Sequence, residues 1–127
     1  MRNKLCEDLF NYIENKYKLL RVTDETGFNF LYFPDFKKVG WIICDKTINP
    51  YNVNVKEQFL WSVNSDGRFS ITMYNFEIFG IVESDKIEKR IKEIVDSYND
   101  YKIAYKKEII KMKKRALERD FDGQTSK

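Results

Sequence analysis

The chain has 127 residues, no histidine and only two cysteines, Cys6 and Cys44. The lack of histidine excludes Ser-His-Asp, Cys-His and histidine general-base catalysis, and two cysteines are too few for the common zinc sites. With 43% apolar residues and a net charge of +3, the composition is that of one ordinary globular domain.

The first element in chain order is a helix, predicted for residues 3–18. Its apolar residues recur at the i, i+3, i+4 spacing of one helical face; they are Leu5, Cys6, Leu9, Phe10, Ile13 and Tyr17. Residues 19–23 then have β character. A turn at 24–27 leads into FNFLYF, residues 28–33, which is apolar on both faces apart from Asn29. We expect this run to be a central strand that a helix covers on one side.

Four further strands are predicted before the next helix. They span residues 39–44, 55–63, 68–74 and 76–82, and a polar loop occupies 45–54. The sequence NSDG at 64–67 is the strongest turn signal in the chain, because its glycine can adopt a left-handed conformation in a hairpin. Short connections favour an antiparallel meander of about six strands with both helices on one face, so the fold class is α+β.

Residues 85–119 form the last predicted element, a long helix. A heptad-like apolar seam runs along it, and its members are Ile87, Ile91, Ile94, Tyr98, Tyr101, Tyr105 and Met112. We favour an unbroken helix, although Asn99 and Asp100 lie in the middle of the seam. Residues 1–119 then form one domain, and residues 120–127 form a flexible tail.

The basic charge of the chain is concentrated in this helix. Residues 86–119 carry 12 Lys or Arg and 6 Asp or Glu, a balance of +6. A 35-residue helix is about 50 Å long, whereas a domain of this size is roughly 35 Å across, so the last turns should project beyond the sheet. Candidate residues for a protein contact lie along the seam and its extension: Tyr98, Tyr101, Tyr105, Ile109, Met112 and Ala116. Ile110 and Leu117 lie beside that stripe.

Two other interpretations of the basic helix stay open. A phosphate backbone could bind its cations, which are Lys106, Lys107, Lys111, Lys113, Lys114, Arg115 and Arg119. Arginine, the usual reader of bases, is scarce there, which favours unspecific contact at most. Alternatively, the helix is simply solvated and its apolar stripe finishes packing on its own domain. In that case the tyrosines pack on the first helix beside Tyr12 and Tyr17.

Catalytic signals are weak. Glu57 lies among apolar neighbours in an alternating strand, where burial would raise its pKa and suit a general acid. The loop at 45–54 could cover a ligand, with Asn52 and Asn54 donating hydrogen bonds. The five glycines are too scattered for a phosphate-binding loop, and no metal or cofactor is expected. Two cysteines, an N-terminus without a signal-peptide run and the lack of a membrane-spanning stretch indicate a cytoplasmic protein.

The leading functional hypothesis is a small, non-catalytic binding protein of the inhibitor or adaptor type. It acts through protein–protein contacts, either with another protein or with a second copy of itself, and not at a membrane. Abundant Lys, Asn and Ile indicate an AT-rich genome, and small chains without motifs from such genomes are often encoded by phages or mobile elements. The alternatives are a nucleic-acid-binding accessory protein that uses the basic helix, and a ligand-binding or enzymatic domain that uses the sheet and the 45–54 loop.

Overall fold

The structure, a computed structural model, describes the backbone of residues 4–125 and the side chains of residues 4–119. The elements in chain order are α1 (Lys4–Tyr17), β1 (Leu20–Thr23), β2 (Asn29–Tyr32), β3 (Ile43–Cys44), β4 (Asn52–Lys56), β5 (Leu60–Val63), β6 (Phe69–Thr72), β7 (Phe76–Gly80) and α2 (Ser84–Thr125). The predicted α+β order is confirmed. The helix α2 is unbroken at Asn99 and Asp100, and it extends past its predicted end at Arg119. The side chains of the expected tail, residues 120–127, lie outside the described part.

Five strands form the main sheet in the order β1-β2-β3-β4-β7, and every neighbouring pair is antiparallel. The strands β5 and β6 pair only with each other. The antiparallel sheet is therefore as predicted, but it has five strands, and two more strands lie apart from it. Sequence alternation could not reveal this division, because it does not report which strands pair.

The four strands from β4 to β7 belong to one long, bent hairpin. Lys56 lies opposite Phe76 and Leu60 lies opposite Thr72, so the register is the same on both sides of the interruption. The interruption spans residues 57–59 and 73–75, and Asn75 adopts a left-handed φ of 62° there. This bend directs the hairpin tip away from the sheet and onto α2.

The core lies between the sheet and the two helices. Alternate sheet residues such as Leu31, Ile43 and Val55 are buried on the helix-facing side. They meet Phe10 and Ile13 of α1, and the buried residues Ile87, Ile91 and Ile94 of α2. Both helices thus cover the same face, as predicted, and within residues 4–125 no helix lies on the opposite face of the sheet.

A polar network on the surface joins the two helices. Lys16 of α1 forms a salt bridge with Glu88 of α2, and the hydroxyls of Tyr12 and Tyr17 donate to the same carboxylate at 2.9 and 3.2 Å. The hydrogen bond from Lys16 lowers the pKa of Glu88, and the same bond raises the pKa of Lys16. This network fixes the start of α2 relative to α1.

The structure also places the residues with catalytic or redox potential. Cys6 and Cys44 are not joined in a disulfide and both are buried, as expected for small core residues. Glu57 is exposed rather than buried, because it lies at the bend where the hairpin leaves the sheet. The premise for a general acid at Glu57 was therefore wrong.

Candidate functional site: the distal segment of the long helix

An aromatic cluster holds the middle of α2 against the domain. The ring of Tyr98 stacks on Phe33 with centroids 3.8 Å apart. Tyr101 makes edge contacts with Phe36 and with Phe69, at 5.2 and 5.4 Å between centroids. Tyr98 and Tyr101 are each only 6% exposed. These two tyrosines therefore belong to the core, away from Tyr12 and Tyr17, and they present little surface to a partner.

Burial also sets the ionisation of these tyrosines. Desolvation, and then the nearby negative charge of Asp35, raise the pKa of Tyr98 to about 12. The Tyr98 hydroxyl donates to the Asp35 carboxylate at 3.3 Å. Desolvation raises the pKa of Tyr101 as well. Both phenols are thus held neutral, in keeping with a structural role.

The tip of the bent hairpin marks the last contact between the domain and α2. A Cβ atom built on Gly67 would lie 2.8 Å from Oε1 of Glu108, so the turn and the helix touch at this point. Tyr105 contacts Phe69 of the hairpin at 5.4 Å between centroids, yet it is partly exposed. Every residue from 110 to 119 is exposed. At 1.5 Å per residue, the helix from 110 to 125 projects about 24 Å.

We call residues 102–119 the distal segment, and it carries two apolar stripes. The first continues the core seam and consists of Tyr105, Ile109, Met112 and Ala116; we call it the domain-side stripe. Ile109 is half-buried, while Met112 and Ala116 are exposed beyond the hairpin tip. The sequence predicted these four residues as contact residues, and the structure places them on one helical face.

The second stripe was not recognised as a unit from the sequence. It consists of Ile103, Ile110 and Leu117, which are 54%, 64% and 70% exposed, and we call it the outer stripe. Its members are seven residues apart, so they align after two helical turns. The stripe lies about a third of a turn from the domain-side stripe and away from the core. The signal that could have revealed it is the seven-residue spacing itself.

Lysines flank the outer stripe on both sides. The residues three and four positions after Ile103 are Lys106 and Lys107, and those after Ile110 are Lys113 and Lys114. Residues at these spacings are neighbours on a helix surface. No salt bridge links any of these four lysines to a carboxylate among the residues whose side chains are described. The outer face of the distal segment is therefore apolar along its middle and cationic along its edges.

The outer face of the distal segment is an exposed surface of aliphatic and cationic side chains. Within the described residues, no group of three or more histidine, cysteine, aspartate or glutamate side chains is placed to hold a metal ion. Neither α1 nor α2, as far as each is described, has the length together with the apolar character that a membrane crossing requires.

Comparison of the chain with protein-family models, with curated proteins and with solved structures found no match.

Proposed function

We propose that this is a non-catalytic binding protein of the inhibitor or adaptor type, whose distal segment contacts another protein in the cytoplasm. The observation that carries the proposal is the outer stripe. Its three aliphatic side chains are exposed at a regular spacing on a face that the domain itself does not use. Helices that dock into partner grooves present their anchors in such i, i+7 patterns. Two buried cysteines that form no disulfide with each other support a reducing compartment.

The flanking lysines specify the chemistry of the partner. A groove or helix that receives the outer stripe must meet Lys106 and Lys113 on one side, and Lys107 and Lys114 on the other. Acidic residues at its rim complement these charges and exclude cationic competitors. Self-pairing through the same stripe would bring the lysine rows of two copies together, which is unfavourable. We therefore favour a different, acidic protein over a second copy.

Nucleic acid is the second candidate, and one observation favours it. After Lys102, the Lys and Arg residues of the distal segment are exposed and have no salt bridges among the described side chains; they are Lys106, Lys107, Lys111, Lys113, Lys114, Arg115 and Arg119. A phosphate backbone would bind these cations and leave the outer stripe exposed to solvent. The two candidates thus differ in which side chains carry the affinity.

A paired-variant experiment distinguishes them. Partners are captured from the native host with and without nuclease, and the affinity of the captured partner is then measured for each variant. Ile110→Ser with Leu117→Ser removes buried apolar area at a protein contact and should cost roughly 2–4 kcal/mol of binding. Ile109→Ser with Met112→Ser tests the domain-side stripe in the same way. Lys113→Gln with Lys114→Gln should have a smaller, salt-sensitive effect on a protein contact.

The control is Val82→Ser, since Val82 is an exposed aliphatic residue in the turn before α2. It should leave binding unchanged, and all variants should melt like the wild type because the altered residues lie largely outside the core. The nucleic-acid function replaces the proposed one if the lysine variant has the dominant effect, if capture is nuclease-sensitive and if affinity falls steeply with salt.

A further inference from the structure

The face of the main sheet opposite the helices is largely apolar. One row of side chains across it contains Phe30, Cys44, Asn54 and Ile78, which the strand register aligns. Ile78 is 58% exposed, and Phe76 next to it on β7 is also exposed. No helix among the described residues covers this face. Part of the apolar surface of this face is therefore exposed to solvent.

A groove of about 540 Å³ lies on this face beneath the loop that joins β3 to β4. Phe28, Phe76 and Ile78 supply its apolar walls, and Ile48 of the loop stands at its rim. The volume falls within the range of small-molecule sites, about 300–1,000 Å³. The groove is large enough for an alkyl chain or an aromatic ring system.

Hydrogen bonds hold the loop in place over the groove. Asn54 is buried, and its Nδ2 donates to the carbonyl of Lys46 at 3.2 Å. The Thr47 hydroxyl donates to the carbonyl of Asn52 at 3.2 Å, and the backbone N–H of Tyr51 donates to the Asn49 side chain at 2.9 Å. The groove is thus formed by the fold itself and does not depend on a ligand for its shape.

The charges of the groove are of one sign. Lys46 lines it, with its Nζ 5.9 Å from the centre of the Phe28 ring. Lys56 lies further along the same face, 4.2 Å over the ring of Trp41, which itself packs on Phe76. Neither ammonium forms a salt bridge within the described residues, and no carboxylate lines the groove. Burial lowers the pKa of Lys56.

We propose that this groove binds a small amphiphilic anion, a molecule with an apolar body and a single carboxylate or comparable group. The apolar body covers Phe76 and Ile78, and the anion pairs with Lys46. Charge complementarity selects this occupant over the basic distal segment of a second copy, which would bring further cations to the two lysines. The inference does not depend on the function proposed for α2, because none of the groove residues belongs to that helix.

The test uses decanoate below its micelle concentration, with decanol and decyltrimethylammonium as neutral and cationic counterparts of equal chain length. Binding to the full-length protein is followed by amide chemical shifts and quantified by titration. Decanoate should bind more tightly than decanol, and the cation should bind least. Ile78→Ser should weaken decanoate about tenfold, because one buried aliphatic contact is lost. Lys46→Gln should reduce decanoate binding toward the level of decanol and leave decanol unchanged.

Leu5→Ser is the matched control. Leu5 is 55% exposed, close to the 58% of Ile78, but it lies on α1, which packs on the other face of the sheet. It should leave decanoate binding unchanged. The proposal is overturned if decanoate and decanol bind equally, or if Ile78→Ser has no effect. It is also overturned if decanoate fails to bind and the wild type is a dimer that Ile78→Ser dissociates, since the sheet face is then an interface between copies.

Discussion

Tyr98 contributes to the core in two ways, through its ring and through its hydroxyl. Its ring stacks on Phe33, while its hydroxyl donates to Asp35. From the sequence it was one member of an apolar seam, equally suited to a core and to an interface. The pattern could not decide between them, because the residues that cover it come from the distant segments around Phe33 and Phe59.

Tyr98→Phe should lower the free energy of unfolding near neutral pH by about 1 kcal/mol, because it keeps the stack and removes one hydrogen bond. The folded-state pKa, about 12, lies above the ordinary value of 10.0. The neutral phenol therefore contributes stability that is complete below pH 10 and is lost as pH rises through 12. Denaturant unfolding at neutral and alkaline pH measures both effects.

The stability difference between wild type and Tyr98→Phe should consequently shrink or reverse above pH 10. Tyr105→Phe is the control, since Tyr105 is partly exposed and should show neither effect. The role assigned to this phenol is contradicted if wild type and Tyr98→Phe lose the same free energy of unfolding between neutral and alkaline pH.

At the scale of elements, the helices and the turns were easier to predict than the pairing of strands. The bounds of α1 and the turn at 64–67 follow from local spacing and local hydrogen bonds. In that turn, Oδ1 of Asn64 accepts from the N–H groups of Asp66 and Arg68, both at 2.9 Å. The separation of β5 and β6 from the sheet is non-local, since it depends on aromatic contacts with α2.

Gly67→Ala tests the docking of this hairpin on α2. Gly67 has φ of 81° and Gly27 has φ of 89°, so an alanine at either site should cost about 1–2 kcal/mol for the left-handed backbone. Gly27 has nothing within 4 Å of a built Cβ, whereas at Gly67 the Cβ meets Glu108. Gly67→Ala should therefore destabilise the protein slightly more than Gly27→Ala in denaturant unfolding, because the flexible end of the Glu108 side chain must move aside.

The excess loss should disappear when both glycine variants are made in a Glu108→Ala background. Equal losses for the two glycine variants with Glu108 present would indicate that the hairpin tip does not press on the helix. The two glycines form a matched pair because their backbone conformations are nearly the same.

At the scale of the whole molecule, the chain folds around one core that joins the sheet and both helices. This core is built from apolar and aromatic side chains, and Cys6 and Cys44 form no disulfide with each other. We expect the melting temperature in reductant plus chelator to match the value without them. A fall of more than about 4 °C, which is roughly 1 kcal/mol for a domain of this size, would reveal a metal or disulfide contribution.

The candidate site could be predicted only in part at this scale. Helix length against domain diameter predicted a projecting, basic end, and Ile109, Met112 and Ala116 were assigned to it correctly as neighbours on one face. The outer stripe was not predicted as a unit, because it lies about a third of a turn from the apolar seam that continues the core. The sequence indicated the loop at 45–54 as a cover for a ligand, and Asn52 and Asn54 line the sheet groove. The apolar wall of the groove could not be predicted, since it depends on the register that places Phe76 and Ile78 beside this loop.

The aromatic cluster around Tyr101 and the unbroken course of α2 together make the helix a lever arm. Leu117 lies about 24 Å along the helix from Tyr101, at 1.5 Å per residue. A tilt of about 5° at the cluster would move Leu117 by about 2 Å, which exceeds the tolerance of a close-packed contact. Repacking of Phe33, Phe36 or Phe69 would thus be amplified at the far end of the helix, where it changes which partner geometry the protein can reach.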